Sequence, residues 1–389
     1  MDARPPAFLL AHPSADLYGS DRVFLETVAA LSATGAPVTV TLPADGPLVP
    51  MLEAHGARVV FTPSLVLRKS LLSPRGLFTL IGHTVTGLRA GRRLVREVRP
   101  TLIWTNTITI PLWTLIAKLG RIPSVVHVHE AEGSASRLVT RALSFPLLFA
   151  DRLVANSRYS VGVLRSAFAR LEGRTTVVYN GVVGPDAVVS PRPVLTDGLR
   201  VVYVGRLSPR KGPDVAIAAI GELSKRGVDA HLDVVGAVFP GYEWFETELR
   251  ELVSHLGLDD RIVLHGFQDA PWALLASGDV LVVPSRLDEP FGNTAVEGIL
   301  AARPVIVSDT SGLREAAAGY ASAQFVPPSD AVSLANALET VSNEWGVMSN
   351  AALNDEHLAR ARHSIETYRR RIVSVAEDLS AGAVARAQR

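Results

Sequence analysis

Short apolar runs alternate with longer stretches whose apolar residues recur at every third or fourth position, and the alternation is played out twice along the chain. Runs such as Phe8-Leu9-Leu10-Ala11 and Val280-Leu281-Val282-Val283 are continuously apolar. Strands buried on both faces of a parallel sheet read that way. Helix-period segments between such runs make βα units, and the expected class is α/β with doubly wound sheets. In the first half the pattern predicts strands over Ala7–Ala11, Pro37–Leu42, Arg58–Phe61, Thr101–Thr105, Ser124–Val128, Arg152–Ala155 and Thr176–Tyr179. Helices are predicted over Asp21–Thr34, Pro47–His55, Leu77–Val98, Pro111–Leu119, Ser136–Phe149 and Ser157–Ala169. Gly184 to Gly198 is rich in proline and glycine and reads as a linker. A second series follows, with strands over Leu199–Val204, His231–Val235, Ile262–His265, Val280–Val283, Pro304–Val307 and Ser322–Val326. Its helices are predicted over Pro213–Arg226, Tyr242–Leu256, Trp272–Ala276, Thr294–Ala301, Leu313–Ala318, Asp330–Ser342 and Asn350–Leu379.

A chain of 389 residues is long for one core and suits two domains of similar size. With no cysteine, disulfides, thiolate metal sites and cysteine nucleophiles are excluded. The opening Met1-Asp2-Ala3-Arg4-Pro5-Pro6 has no signal-peptide layout, and no run of about eighteen apolar residues follows. The expectation is a cytoplasmic protein without a membrane-spanning helix. The net charge of +1 conceals a division: 20 Lys or Arg against 12 Asp or Glu through Ser190, then 19 against 26. Between Leu65 and Arg99 stand Arg68, Lys69, Arg75, Arg89, Arg92, Arg93, Arg96 and Arg99, opposed only by Glu97 and interleaved with leucines. This segment, 65–99, suits peripheral contact with an anionic membrane, at the inner face of the plasma membrane. It equally suits a solvated helix over the first core. No nucleic-acid partner is expected, because no binding module or aromatic set accompanies the charge.

Candidate chemistry concentrates in the second series. Glu289 and Glu297 stand eight residues apart around Pro290-Phe291-Gly292-Asn293, between the end of a strand and the start of a helix. Free N–H groups in a first helical turn can hold an anion. Carboxylates on either side could grip hydroxyls, and two hydroxylated rings joined by a diphosphate describe a nucleotide sugar. On its own the spacing fits a solvated helix just as well. Upstream, Arg206 and Lys211 follow the strand Leu199–Val204, at the carboxyl end where α/β sheets bind ligands. Arginine offers phosphate a planar fork and lysine a mobile charge.

With these residues the chain resembles the family 4 retaining glycosyltransferases of the GT-B fold. The resemblance runs through Val204-Gly205-Arg206-Leu207, Lys211-Gly212, Val235-Gly236, His265-Gly266-Phe267, Pro284-Ser285, Glu289-Pro290-Phe291-Gly292, Glu297, Arg303-Pro304-Val305 and Gly312-Leu313-Arg314-Glu315. It implies two Rossmann-like, doubly wound domains facing across a cleft. Residues 1–183 would be acceptor-binding, 184–198 the linker and 199–365 nucleotide-sugar-binding, with 366–389 a helix packing back on the first domain. It further implies Arg206 and Lys211 on the diphosphate, aided by amides of Phe291, Gly292 and Asn293. Glu289 would hold sugar hydroxyls and Glu297 the ribose, with Gly266 and Phe267 beside the base and Asn293 and Thr294 helping to select the sugar. Phe267 itself reads as a core residue more than a stacking partner. No Asp-X-Asp motif occurs, so neither metal nor other cofactor is expected, and the donor is a UDP- or GDP-sugar transferred with retention. Two departures stand out: Ala302 where glycine is usual, and Tyr18-Gly19-Ser20-Asp21 in place of a double glycine.

Candidates in the first domain are fewer. Gly19 lets backbone approach a ligand at a helix start, or belongs to an ordinary turn with Ser20 or Asp21 as cap. His127 and His129 alternate along one strand and share a face. The resemblance places His129 near the donor sugar and phosphate; a packed histidine and a metal site with Glu130 are the alternatives. His127 and Arg158 are the candidates for the acceptor, expected to be a lipid-linked or cell-surface glycan. Competing functions are a nucleotide-sugar epimerase and a noncatalytic sugar-nucleotide-binding protein. A nicotinamide oxidoreductase is opposed by the missing glycine fingerprint.

Overall fold

Parallel pairing of buried apolar strands builds two sheets. The computed structural model describes residues 6–17, 19–67, 74–130 and 136–387. Residues 1–5, Tyr18, Arg68 and Lys69, named above, lie outside them. One unit comprises Met1–Gly181 with Ile365–Arg389, the other Val182–Ser364.

The first unit holds β1 (Phe8–Ala11), β2 (Val38–Leu42), β3 (Arg58–Phe61), β4 (Leu102–Thr105), β5 (Ser124–Val128), β6 (Arg152–Ala155) and β7 (Thr175–Val177). They lie in the order β3-β2-β1-β4-β5-β6-β7, all parallel. Chain order reverses between β1 and β4, which opens a crevice at their carboxyl ends. Helices cover both faces. On one, Phe24, Leu31, Leu48 and Leu52 pack against Leu10, Val40 and Trp104. On the other, Leu94, Trp113 and Ile116 pack against Leu9 and Ile103. The chain returns to this unit at its end: Tyr368, from the last helix, lies 2.5 Å by its hydroxyl from Thr27 Oγ1, and Arg369 pairs with Glu26.

The second unit holds β8 (Leu199–Val204), β9 (Ala230–Val235), β10 (Ile262–Gly266), β11 (Val280–Val283), β12 (Val305–Ser308) and β13 (Ala323–Val326). Their order is β10-β9-β8-β11-β12-β13, again all parallel, with the switch point between β8 and β11. Residues 184–198, read as a linker, carry neither helix nor strand and are held within this unit. Arg192 binds the buried Asp279 carboxylate at 2.9 and 2.5 Å, and Trp345 Nε1 donates to Arg192 O at 2.8 Å.

Three expected elements change. The helix predicted over Ser136–Phe149 is α-helical only across Arg137–Ser144 and tightens to a 3₁₀ turn over Phe145–Phe149, where Pro146 has no N–H to give. The long helix expected over Asn350–Leu379 is two, Trp345–His363 and Ile365–Ala387, broken where Ser364 turns extended at ψ 147°. Ser364 is also where the chain leaves the second unit. The helix expected from Asp21 begins at Gly19, which puts Asp21 in its first turn.

Candidate functional site

In the second unit the loops after β8 and β11 are stitched together at the switch point. Arg286 N donates to Arg210 O at 2.8 Å, Arg286 pairs with Asp214, and Arg210 donates to Asp288 O. Gly212 ends the first loop with φ +68°, and a Cβ there would lie 2.2 Å from Pro284 O, so only glycine lets the loops close. Pro213 then starts the helix Pro213–Lys225 at the position where proline is preorganised.

That closure brings Lys211 to Glu289, Nζ to Oε1 at 2.8 Å. Ser285 Oγ donates to the same Oε1 at 3.0 Å. Glu289 is only 7% exposed, yet its backbone is held from three sides. Its N–H donates to Ser311 Oγ at 2.9 Å, and its carbonyl accepts from Ser311 Oγ at 3.0 Å and Gly312 N at 2.9 Å. Gly312 permits this approach, since a Cβ there would sit 2.4 Å from Glu289 O. The carboxylate is thus a fixed acceptor beside a lysine whose side chain is 32% exposed.

Arg206 is exposed, with its guanidinium 3.5 Å from the centroid of the Phe239 ring. Its backbone is fixed by the buried Tyr203, whose hydroxyl donates to Arg206 O at 3.0 Å. Burial, then the Glu289 and Asp214 carboxylates, push the Tyr203 phenol well above its usual range, so it remains a neutral donor. Gly292, Asn293, Thr294 and Glu297 line the start of the helix Asn293–Leu300, all half-buried. Phe291 points inward at 2% exposure and packs on His363, so only its backbone can serve a ligand. Gly266 closes β10 with Phe267 beside it. Phe267, expected in the core, is 63% exposed, because it follows the last residue of a strand at the rim of the sheet.

The first unit has its own polar cluster at its switch point. His12, Asn106 and His129 follow or end β1, β4 and β5. His12 Nε2 lies 2.7 Å from Asp21 Oδ1, its Nδ1 3.1 Å from Asn106 Nδ2, and Asn106 Oδ1 3.0 Å from His129 Nε2. Burial, and then His12, lower the His129 pKa to about 3, so the ring is neutral. Glu130 is pushed up by burial, opposed by hydrogen bonds from Thr107 and Ile108 N. His127, expected to face an acceptor, is fully buried with no hydrogen bond on either nitrogen, packed near Trp104, His129 and Tyr368. It is a core ring: β5 alternates, but both its faces are covered. Arg158 is exposed at the start of the helix Arg158–Ala167 behind the Ser157 cap, and Gly19 is exposed at the start of its helix. Among the described residues no group of three His, Asp or Glu could hold a metal ion.

Two buried, neutral imidazoles set an acid limit. Burial, then His129, also lower His127 well below 6.5. The unfolded chain takes up protons that the native chain excludes, so stability is full above pH 6.5 and falls from there toward pH 3. His129 alone contributes a slope of about 1.4 kcal/mol per pH unit. Glu130 acts in the opposite direction, as one carboxyl against two rings. Urea midpoints measured at pH 7, 6 and 5 should fall steadily, and less steeply in His127→Phe.

Lys211, Ser285 and Glu289 belong to motifs legible in the sequence, whereas Ser311, Phe239, His12 and Asn106 were not singled out there. His12 follows the first strand of its unit much as Arg206 follows β8, and that position was the available signal. Lys211 and Glu289 are brought together in the second unit, and His12, Asn106 and His129 in the first.

The family model described as Glycosyl transferases group 1 matches residues 192–356, and that described as Glycosyl transferase 4-like domain matches residues 18–181. Alpha-D-kanosaminyltransferase of Streptomyces kanamyceticus is 28% identical over 173 residues, covering 44% of this chain and 43% of that protein. Glycogen synthase of Mycobacterium tuberculosis is 28% identical over 279 residues, 68% of this chain and 66% of that protein. Phosphatidyl-myo-inositol mannosyltransferase of Mycolicibacterium smegmatis is 28% identical over 276 residues, 64% of this chain and 68% of that protein. The chain therefore spans from under half to about two thirds of these relatives. Anabaena Alr3699/HepE, solved in complex with UDP, superposes with a TM-score of 0.80 at 24% identity, covering 96% of this chain and all of that one. Sucrose-phosphate synthase from Thermosynechococcus elongatus superposes at 0.76 with 20% identity over 97% of this chain. The fold is that of these two-domain GT-B structures, as the resemblance implied.

Proposed function

The chain belongs to the GT-B glycosyltransferase group 1 family, and from that premise we propose that it moves a sugar from a nucleoside diphosphate sugar to an acceptor. The observation that carries the reading is the Lys211–Glu289 pair, held at the β8/β11 switch point by the closure of Gly212 on Pro284. A cation for the diphosphate and a carboxylate for sugar hydroxyls stand side by side on rigid backbone.

In this reading Arg206 and Lys211 stabilise the departing diphosphate, with amides of Gly292 and Asn293 at the helix start. Those fixed charges take the part a divalent ion plays elsewhere, so transfer proceeds without metal or cofactor. Glu289 accepts hydroxyls of the donor sugar through Oε2, and Glu297 accepts those of the ribose. Gly266 and the exposed Phe267 serve the base; Asn293 and Thr294 bear on the choice of sugar. His129 is the substrate contact of the first unit, and Arg158 its acceptor contact. Retention follows if the acceptor attacks on the face the diphosphate leaves, the departing phosphate oxygen taking the acceptor proton. UDP is the first nucleoside diphosphate to try, since the like-folded Anabaena protein was solved with it, and GDP the second.

We assign the acceptor to a lipid-linked or cell-surface glycan, with peripheral binding at an anionic membrane face. Arg89, Arg92, Arg93 and Arg96 follow helical spacing along one exposed stripe of the helix Pro74–Val98, with no carboxylate paired to them among the described residues. Its other side is anchored where Gly87 and Gly91 meet Leu112 and Ile116 of the neighbouring helix, which leaves Leu115 and Leu119 exposed. No helix among the described residues is long and apolar enough to cross a membrane. Four arginines at about 1 kcal/mol each make the stripe worth roughly three orders of magnitude in partitioning. Changing all four to serine should weaken sedimentation with phosphatidylserine vesicles by about that factor at low salt, and leave the weak binding to phosphatidylcholine unchanged.

Transfer is tested by incubating the protein with UDP- and GDP-sugars and a bacterial lipid extract in EDTA, following diphosphate release and labelled lipid. Labelled lipid formed by the wild type and lost in Glu289→Ala supports the proposal. A free sugar nucleotide altered without any acceptor would favour the epimerase.

A further inference from the structure

The polar chain in the first unit has a direction. Asp21 is 3% exposed and His12 1%, and a carboxylate oxygen accepts, so His12 Nε2 carries the hydrogen between them. The Asn106 Nδ2 amide lies 3.1 Å from His12 Nδ1 and can only donate, so Nδ1 is the acceptor of that bond. The Asn106 amide is thereby oriented, its Oδ1 facing His129 Nε2 at 3.0 Å. A carbonyl oxygen only accepts, so His129 holds its hydrogen on Nε2. The ring of His12 cannot swing out of this line, because it lies flat on Phe24, 4.3 Å between centroids and 5° from coplanar. Ser14 Oγ donates to the same Asp21 oxygen at 3.3 Å, which steadies the carboxylate at the origin of the chain.

We propose that Asp21 acts as a positioning residue, fixing the tautomer of His129 through His12 and Asn106 so that His129 offers its substrate only a hydrogen-bond acceptor, Nδ1. This rests on the reading of His129 as a substrate contact. A hydroxyl that meets this imidazole must donate to it, and a group without a proton to give finds no partner. His129 therefore orients a hydroxyl rather than supplying a proton.

The test is nitrogen NMR of the full-length protein labelled with ¹⁵N-histidine, with His129 assigned by its replacement. In the wild type His129 should show a protonated Nε2 and an unprotonated Nδ1, as a single tautomer. Asp21→Asn keeps the shape but brings an amide that can donate to His12 Nε2, which frees His12 and Asn106 to reverse. His129 should then shift toward averaged nitrogen positions, and Asn106→Leu, which cuts the chain at its last link, should do the same. Transfer by Asp21→Asn should fall about tenfold or more while circular dichroism is unchanged. A protonated Nδ1 in the wild type, or a His129 spectrum unmoved by either variant, overturns the proposal. A changed spectrum with a normal transfer rate supports the tautomer relay and overturns instead the role of His129 at the substrate.

Discussion

Glu289→Ala should abolish most of the transfer activity, lowering kcat by about 10²–10³ while the protein stays folded. The size follows from where the carboxylate sits. It is buried, its backbone is pinned by Ser311 and Gly312, and one of its oxygens is already held by Lys211 and Ser285. Such a group needs no reorganisation to receive a sugar hydroxyl, and on the proposed assignment its removal takes a fixed charge from beside the reacting carbon. The effect belongs chiefly in kcat, because contacts at that carbon strengthen as it becomes oxocarbenium-like. Folding should suffer little. The mutation leaves the Ser285 hydroxyl and the partly exposed Lys211 without their partner, a loss of about 1–3 kcal/mol. Glu289→Gln keeps the shape and one acceptor oxygen, and should recover part of the rate. Steady-state kinetics and circular dichroism on the two variants decide it; normal turnover in Glu289→Ala removes this carboxylate from the reaction.

Lys211→Ala should be nearly as severe, and it should differ in kind. On the proposed assignment its ammonium holds the diphosphate, so losing it should weaken diphosphate binding as well as the departure of the leaving group. KM for the donor should rise and kcat fall, together costing kcat/KM about 10²–10³. Arginine should not restore it, since the guanidinium fork cannot take the place of a compact charge paired with the Glu289 oxygen that Ser285 also holds. Glu289 would stand 7% exposed with no cation, so a modest loss of thermal stability should accompany the change. A variant that loses stability but keeps kcat/KM would make Lys211 a structural partner of Glu289 only.

Strands and sheet class were legible because parallel strands buried on both faces leave continuous apolar runs. β3, β5, β6, β8 and β11 fall on the predicted boundaries to the residue. What the sequence hid were breaks inside otherwise good helical patterns. Ser364 interrupts a period that runs on through it, and Pro146 tightens a turn without ending the segment. Lys211 and Glu289 were found as parts of motifs that announce themselves locally. The His12–Asp21–Asn106–His129 chain was not, because its members come from three strand ends and a helix whose adjacency follows from the strand order β1-β4-β5. His127 was misplaced for a related reason: alternation assigns a face of the strand, while coverage of that face by Tyr368, hundreds of positions later, is a tertiary fact. Phe267 erred the other way, an aromatic assigned to the core that stands on the rim.

Everything proposed for the second unit depends on whether it binds a nucleoside diphosphate without a metal ion. Calorimetric titration of UDP, GDP and ADP into the protein, in EDTA, answers this with no need to know the acceptor. One of them should bind at micromolar concentration, and its affinity should drop by about 10²-fold in Lys211→Ala, some 2.7 kcal/mol. Failure of all three to bind, or binding that Lys211→Ala leaves intact, would contradict the assignment of this site.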